Sequence, residues 1–440
     1  MDLVTIAIIG IAVLVVLLIL GVHIGVALGM VGIVGMVSIV GFEASMKSAT
    51  DTIYHKLSSF ELITIPLFIL MGYLASSGGI SSSVFEALNR WVGRIKGGIG
   101  IATVASCTAF GAVTGSSLVT SSVFASICAP EMRKYGYDKK LAYGICASGG
   151  MIGMLIPPSI LMIIYGVLSG ESTGRLLIAG IAPGLLLMIL FAVTIRLLAH
   201  FMPDMLCHDR SAPHYTLGEK ITSLARCWQI WFVALIMFGG IFGGIFNPTE
   251  AAAVASSFLF FLLVVTKFNK ILPLLREAFW KTASTTCMIF LVMGGAAIFS
   301  HFLVLTGMTQ DLADYIIGMQ LSPLGLIITL SIFYILLGCF LDSISMLCIT
   351  IPIFNPIISA YAMDPIWYAV VVVMSIEAGL ITPPVGLNVY GAYAVAEKDV
   401  SLEDIFSGVW PFLVAVWLSI VILILFPSIS TVLPNLMLGK

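Results

Sequence analysis

Apolar runs of about 20 residues, separated by short polar connections, make up most of the sequence. A helix of that length crosses the hydrocarbon core of a bilayer. The pattern predicts spanning helices at 3–20, 24–42, 58–77, 139–168, 175–202, 228–246, 250–267, 280–306, 364–395 and 406–432. The chain is therefore expected to be an all-α polytopic membrane protein.

Two apolar stretches, 98–130 and 322–360, are too long for one span, and each has a polar interruption near its middle. The interruptions read GAVTGSS (Gly111 to Ser117) and GCFLDSIS (Gly338 to Ser345). Each stretch is either two short spans or a re-entrant hairpin that enters and leaves on one side.

The distribution of basic residues decides between these alternatives, because Lys and Arg accumulate in cytoplasmic loops. With two hairpins, all but four of the 20 Lys and Arg residues fall on one side; the exceptions are Lys47, Lys56, Arg175 and Lys440. The charge pattern thus favours hairpins, the first opening to the cytoplasm and the second to the outside.

Paired prolines interrupt two of the predicted spans, at Pro157–Pro158 and at Pro383–Pro384. Because proline has no N–H, the second pair leaves the carbonyls of Gly379 and Leu380 without helical partners. At membrane depth such carbonyls need a cation, buried protein or water. Two broken helices in matching positions are typical of the substrate and ion site of a secondary transporter.

The breaks and the hairpins recur at a nearly constant offset. A shift of 226 residues places Gly153 on Gly379 and the first proline pair on the second, and a shift of 227 places Gly111 on Gly338. We therefore predict two inverted repeats joined by a cytoplasmic linker. The predicted parts are repeat 1 at 1–202, with arm helix 81–97, hairpin 98–130 and broken helix 139–168; linker 203–227; and repeat 2 at 228–440, with arm helix 309–321, hairpin 322–360 and broken helix 364–395.

The remaining spans of each repeat are predicted to form a scaffold. The two arm helices are amphipathic and are expected to lie in the membrane interface. They act either as levers between a mobile core and this scaffold or as ordinary connectors.

Composition narrows the class of protein. Hydrophobic residues form 60% of the chain and charged residues 10%, and the mean hydropathy is +1.13. These values predict that the chain is surrounded by a lipid bilayer. The sequence has no basic patch with interleaved aromatic residues that would indicate nucleic-acid binding. The eight cysteines show no zinc spacing and the six histidines form no HExxH pair. An enzyme is not expected, and Asp342 is the only residue that would support an intramembrane hydrolase.

Unwound segments at the breaks offer backbone carbonyls, which are the usual ligands of Na+ at the membrane midplane. A hard cation such as Na+ can also be coordinated by hydroxyl oxygens. We therefore predict one Na+ site between each hairpin tip and the facing break. The first site comprises Thr114, Ser116, Gly153, Ile156 and Pro158; the second comprises Gly338, Leu341, Ser343, Gly379, Thr382 and Pro384. The alternative is that the prolines only kink packed helices and that Ser and Thr side chains satisfy the backbone.

The hairpin tips and the breaks themselves contain no Lys or Arg. An anionic substrate would therefore be held by helix N-termini, small polar side chains and the bound cations. The candidate substrate contacts are Ser117, Ser159, Asp342 and Asn388. Ser159 and Asn388 can equally satisfy backbone groups, and Asp342 can bind an ion, carry a proton or pair with a helix N-terminus. Two other acids, Glu250 and Glu377, lie on or beside spans; NPTE around Glu250 predicts a helix start.

Three motifs resemble those of a known family: NPTEAAAVA (Asn247 to Ala255), TPPVGLNVYG (Thr382 to Gly391) and MLIPPS (Met154 to Ser159). They are similar to the large membrane subunit of TRAP transporters, the DctM-like permeases, and the similarity covers essentially the whole chain. The segment PPVGLNVYG departs from the more usual PPVGLNLFV only in its last three residues.

The resemblance implies an importer of an organic acid, such as sialic acid or a C4-dicarboxylate, in a bacterial inner membrane. It implies coupling to two or more Na+ ions, with sites at the positions named above, and an elevator mechanism. It also implies two partners, a small four-helix membrane subunit and a periplasmic binding protein that delivers substrate. A stand-alone carboxylate transporter of related fold, driven by Na+ or H+, is the alternative within transport.

Overall fold

The computed structural model describes residues 2–206 and 215–438. Within these residues the regular structure is helical, and the single isolated β-bridge joins Tyr137 and Leu206. The all-α prediction is confirmed. The middle of the predicted linker, 207–214, and Lys440 lie outside the described residues.

The first half contains eleven α-helices, and a twelfth lies in the predicted linker. They are α1 Leu3–Ile19, α2 Ile24–Val40, α3 Phe42–Leu57, α4 Thr64–Ser77, α5 Ile80–Val92, α6 Gly98–Thr114, α7 Ser117–Lys134, α8 Lys139–Gly150, α9 Ile160–Ser169, α10 Thr173–Ala179, α11 Ile181–Phe201 and α12 Leu217–Arg226. A short 3-10 turn, Met151–Met154, follows α8 at the first break.

The second half contains a further eleven α-helices among the described residues. They are α13 Trp228–Ala234, α14 Gly240–Phe242, α15 Pro248–Thr266, α16 Ile271–Leu305, α17 Met308–Gly318, α18 Pro323–Gly338, α19 Ser343–Ala360, α20 Pro365–Gly379, α21 Leu387–Tyr393, α22 Leu402–Leu425 and α23 Ser428–Leu438. A π-helical turn, Leu235–Gly239, joins α13 to α14. As the NPTE motif predicts, α15 starts there, with Asn247 and Glu250 forming a capping box.

Six helical segments of the described chain are long and apolar enough to cross a membrane, or seven if the bent pair of α12 and Trp228–Phe242 forms one span. The six are Phe60–Ser77, Thr173–Phe201, Pro248–Thr266, Phe268–Leu305, Ser343–Ala360 and Leu402–Leu425. Other predicted spans, including the first two, are shorter apolar helices. The chain is a multi-pass membrane protein.

The helices in the structure differ from the predicted ones in several places. Helix α3 is amphipathic, so a search for apolar runs misses it, and α12 lies inside the predicted linker. Helix α16 begins at Ile271 rather than 280, and its added turns include an ion pair of 2.6 Å between Glu277 and Lys281. The predicted span 406–432 is two helices, because Pro427 cannot continue the pattern of α22.

The helices pack in two groups. The scaffold helices are α1 to α4, α15 and α16; α2 packs along α16, and α4 packs against α15 and α16. The core helices are α6 to α11 and α18 to α22, in which α8 packs along both α7 and α22. The groups meet where α4 contacts α6 and where α16 contacts α19. The core therefore contacts the scaffold through one helix of each hairpin.

An ion-pair cluster ties the core helices across the two halves. Arg133, at the end of α7, pairs with Glu397 and holds Asp399 through hydrogen bonds of 3.0 and 2.6 Å. Lys139, at the start of α8, pairs with Asp404 on α22 at 2.7 Å. The hydrogen bonds and charge of Arg133 keep the pKa of Asp399 below its usual range. The first hairpin and the second broken helix are thus fastened to each other at one end of the core.

Candidate functional site

The tip of the first hairpin packs backbone to backbone against the first helix break. Helix α6 ends at Thr114, and Gly115 turns the chain with a φ of +57° before α7 begins. A Cβ at Gly115 would lie 2.3 Å from the carbonyl oxygen of Pro158, and one at Gly111 would lie 2.3 Å from Cα of Gly153. Only glycine allows this approach.

Oxygen atoms collect at this contact. The hydroxyls of Thr114 and Thr120 are 2.9 Å apart, and the Thr120 hydroxyl donates to the carbonyl of Ser116 at 2.8 Å. Within the described chain, no hydrogen bond is donated to the carbonyls of Ile156 or Pro158. Of the first predicted set, Gly153 and Pro158 therefore meet the tip that carries Thr114 and Ser116, and their neutral oxygens suit a hard cation. The side chain of Ile156 packs instead at Gly184 on α11.

The second hairpin meets the second break through the same kind of crossing. A Cβ at Gly379 would lie 2.6 Å from Cα of Gly338, at the end of α18. Thr382 lies just past the end of α20, and its hydroxyl donates to the carbonyl of Ala378 at 2.7 Å.

The sequence suggested that the carbonyls at the second break lack hydrogen-bond donors, but in the structure each of them accepts a hydrogen bond. The carbonyl of Gly379 accepts from the N–H of Thr382 at 3.0 Å, and that of Leu380 accepts from the N–H of Asn388 at 3.1 Å. The chain folds back across the break and supplies these donors. Because a carbonyl oxygen has two lone pairs, each can still accept a cation.

The two breaks differ in exposure. Residues 151–160, which include the first proline pair, are all buried, whereas Pro383 and Pro384 are exposed. The second break therefore reaches the surface in this conformation and the first does not.

Two of the four candidate substrate residues are helix caps. Asp342 precedes α19, and its Oδ1 accepts from the N–H groups of Ile344 at 3.1 Å and Ser345 at 3.0 Å. The hydroxyl of Ser345 donates to its other carboxylate oxygen. Ser159 caps α9 by accepting from the N–H of Met162 at 3.3 Å. Of the three roles considered for Asp342, the structure shows the third, in which its carboxylate pairs with a helix N-terminus.

This cap gives a stability prediction. Asp342→Ala is expected to lower the free energy of unfolding by about 1 kcal/mol, because the first N–H groups of α19 lose their acceptor, whereas Asp342→Asn keeps an acceptor and costs little. Denaturant unfolding of the purified chain in detergent measures both changes. An Asn variant as unstable as the Ala variant would show that the charge has a partner other than the helix end.

The structure adds one residue to the site that the sequence did not assign, Glu377 on α20. Its side chain is 0% exposed. The hydroxyls of Ser117 and Ser343 lie 3.3 and 3.5 Å from its Oε1, and Nδ2 of Asn388 lies 3.4 Å from its Oε2. Residues from both hairpin tips and from beyond the second break thus meet at one carboxylate. The available signal was an acid inside an apolar run, which marks a functional suspect.

A cavity of about 170 Å³ lies between the first hairpin tip and the scaffold. Its polar lining comes from Thr114 and Ser116 on the tip, Tyr73 on α4 and Thr285 on α16. The hydroxyls of Tyr73 and Thr285 are 3.3 Å apart, and Nζ of Lys281 lies 5.9 Å from the centre of the Tyr73 ring. The fold thus brings Tyr73 and Thr285, from two helices that the sequence did not connect with the first tip, to the cavity beside it.

Known proteins of one family are similar to this chain over nearly its full length. The family model described as "Tripartite ATP-independent periplasmic transporter, DctM component" matches residues 11–429. The C4-dicarboxylate TRAP transporter large permease protein DctM of Pseudomonas aeruginosa is 32% identical over 407 residues, covering 92% of this chain and 93% of that protein. The sialic acid TRAP transporter large permease protein SiaM of Vibrio cholerae is 31% identical over 386 residues, covering 87% and 88%.

A third relative, the ectoine TRAP transporter large permease protein TeaC of Halomonas elongata, is 31% identical over 424 residues, covering 96% of this chain and 97% of that protein. Among solved structures, the YdaH transporter of Alcanivorax borkumensis matches with a TM-score of 0.65 and 13% identity, covering 88% of this chain and 89% of that one. This last likeness is one of fold.

Proposed function

The chain belongs to the DctM component family of tripartite ATP-independent periplasmic (TRAP) transporters, and we propose that it is the permease subunit of a Na+-coupled importer of an organic acid. Its relatives are named for C4-dicarboxylate, sialic acid and ectoine. These solutes share a carboxylate group, so the proposal commits to that group; sialic acid and C4-dicarboxylates are the first candidates. Its role is transport and not enzymatic catalysis.

The observation that carries the proposal is the pair of glycine crossings. In each half a hairpin tip lies directly on a helix break, Gly111 on Gly153 and Gly338 on Gly379. Such paired tips and breaks hold substrate and coupling ions in secondary transporters built from inverted repeats. We assign one Na+ to each crossing, bound mainly by backbone carbonyls, with Thr114 and Thr382 nearby.

The packing supports an elevator mechanism. The ion pairs of Arg133 and Lys139 join the core helices of both halves, and the hydroxyl of Ser122 on α7 donates to the carbonyl of Gly391 on α21 at 2.9 Å. The core can therefore travel as one body along α4 and α16, carrying both hairpins. Arm helices α5 and α17 connect the two groups of helices and would bend during this motion.

The partners and location complete the proposal. A periplasmic binding protein delivers the organic acid, and a small four-helix membrane subunit assembles with the chain in a bacterial inner membrane. The cavity beside Tyr73 and Ser116 is the space in which we place the substrate, with its carboxylate near the first Na+ site.

The test is uptake into proteoliposomes that contain the chain with both partners. Uptake of radiolabelled sialic acid or C4-dicarboxylate, chosen by a binding screen on the cognate binding protein, is expected to require an inward Na+ gradient. An equal K+ gradient should give only background accumulation. Full uptake on a proton gradient alone would refute Na+ coupling. Full uptake without the binding protein would favour a stand-alone carrier.

A further inference from the structure

The Glu377 carboxylate is enclosed without a cationic side chain. None of the ion pairs within the described residues includes it, although its side chain is 0% exposed. An isolated ionised carboxylate in such a place is very costly, so a positive charge must accompany it or it must be neutral. The arrangement of its neighbours distinguishes between these outcomes.

Those neighbours are spaced too widely for strong hydrogen bonds. Hydroxyl donors normally lie about 2.7 Å from a carboxylate oxygen, yet the hydroxyls of Ser117 and Ser343 are 3.3 and 3.5 Å from Oε1. A cation with oxygen ligands at about 2.4 Å in an octahedral arrangement keeps adjacent ligands about 3.4 Å apart. The separations of 3.3 and 3.5 Å match the spacing expected between adjacent ligands of such an ion.

Asn388 supplies an independent observation. Its side chain is 0% exposed, and its Oδ1 is buried with no hydrogen-bond partner among the described residues. Its Nδ2 lies 3.4 Å from Oε2 of Glu377. Turning the amide by 180° exchanges the two atoms, and Oδ1 then faces the carboxylate with a lone pair directed into the cluster. In that orientation the amide oxygen and the carboxylate face each other with no proton between them, an arrangement that a hard cation accommodates.

We propose that Glu377, Asn388, Ser117 and Ser343 form a third Na+ site, separate from those at the two breaks. One carboxylate balances one monovalent cation, whereas a divalent ion would leave a net positive charge buried. The choice of Na+ over another monovalent ion rests on the proposed function. Because Ser117 and Ser343 belong to different hairpins, this ion joins both tips, and the hydroxyl of Ser343 serves it rather than the second break.

The site is tested by counting bound 22Na+ on the purified chain in detergent. Glu377→Gln is expected to bind one Na+ fewer per chain than the wild type and to show a smaller Na+-induced rise in unfolding temperature. Ser375→Ala is the matched control: Ser375 lies on the same helix, is buried, and its hydroxyl bonds only the carbonyl of Val371 at 2.7 Å. It should bind as many Na+ ions as the wild type.

Equal binding by Glu377→Gln and the wild type would overturn the inference and identify Glu377 as a protonated structural acid. If Glu377→Gln does not fold, Asn388→Ala carries the test and should weaken one of the bound Na+ ions at least about tenfold, which corresponds to the loss of one ligand; unchanged affinity would overturn the site. A wild type that binds no Na+ at all would instead refute the proposed coupling, so the two failures are distinguishable.

Discussion

Oxidation of a Gly72→Cys/Thr114→Cys double variant is expected to reduce uptake to background, and a reductant is expected to restore it. Gly72 lies on scaffold helix α4 and Thr114 at the tip of the first hairpin, and a Cβ at Gly72 would lie 3.4 Å from Cβ of Thr114. Disulfides join Cβ atoms about 3.8 Å apart, so the bond can form here. It would tie the core to the scaffold and block the proposed motion.

The comparison is made within one protein, before and after reduction, in a reduced variant that still takes up substrate, because Thr114 lies beside the first proposed Na+ site. The exposed native thiol at Cys287 should be replaced first. Thr64→Cys/Thr249→Cys is the matched control, because these hydroxyls are in contact between α4 and α15, which both belong to the scaffold. Its oxidation should leave uptake intact. Normal uptake by a fully cross-linked Gly72/Thr114 pair would rule out movement of this hairpin along α4.

Gly111→Ala is expected to lower the stability of the chain clearly, although it adds only one methyl group to the first hairpin. Alanine favours a helix over glycine by about 1 kcal/mol, but here the new Cβ would lie 2.3 Å from Cα of Gly153. Backbone cannot move aside as a flexible side chain can, and overpacking of this kind costs about 1–3 kcal/mol or more. The net change should therefore be a clear loss of stability together with loss of Na+-dependent uptake.

A graded series makes this prediction sharper. A Cβ at Gly338 would lie 3.0 Å from Cα of Gly379, and one at Gly29 would find its nearest atom at 3.7 Å. Gly338→Ala should thus be intermediate, and Gly29→Ala should be neutral or slightly stabilising. Thermal unfolding in detergent and uptake in proteoliposomes measure the series. A Gly111→Ala variant as stable as Gly29→Ala would mean that the tip does not press on the break.

The elements of the site that come from covalent chemistry were predictable from the sequence. Proline pairs lack N–H groups wherever they occur, so the breaks at Pro157 and Pro383 could be located. Glycines at nearly the same offset in the two halves indicated that each hairpin tip faces a break. Helix α3 was not predicted because it is amphipathic: polar residues separate its apolar residues along the chain, so they form no continuous apolar run. The donors at the second break escaped because Asn388 reaches Leu380 only after the chain has turned back.

The meeting at Glu377 could not be predicted for a related reason. Ser117, Ser343 and Asn388 belong to three segments, and each has an adequate local explanation as a cap, a tip residue or a backbone partner. Nothing in their spacing along the chain states that they converge. Only the packing of both hairpins against α20 brings their polar groups within 3.5 Å of one carboxylate.

The glycine crossings have a consequence for how such a permease can change over evolutionary time. Main-chain oxygens are present whatever side chains a sequence encodes, so the proposed ion ligands at the breaks survive most substitutions. The cavity beside the first tip is instead lined by side chains such as Tyr73 and Thr285, which mutation can replace freely. Because the cavity side chains can change while the backbone ion ligands stay the same, a lineage could acquire a new solute and keep the same coupling ion, provided that the glycines are retained.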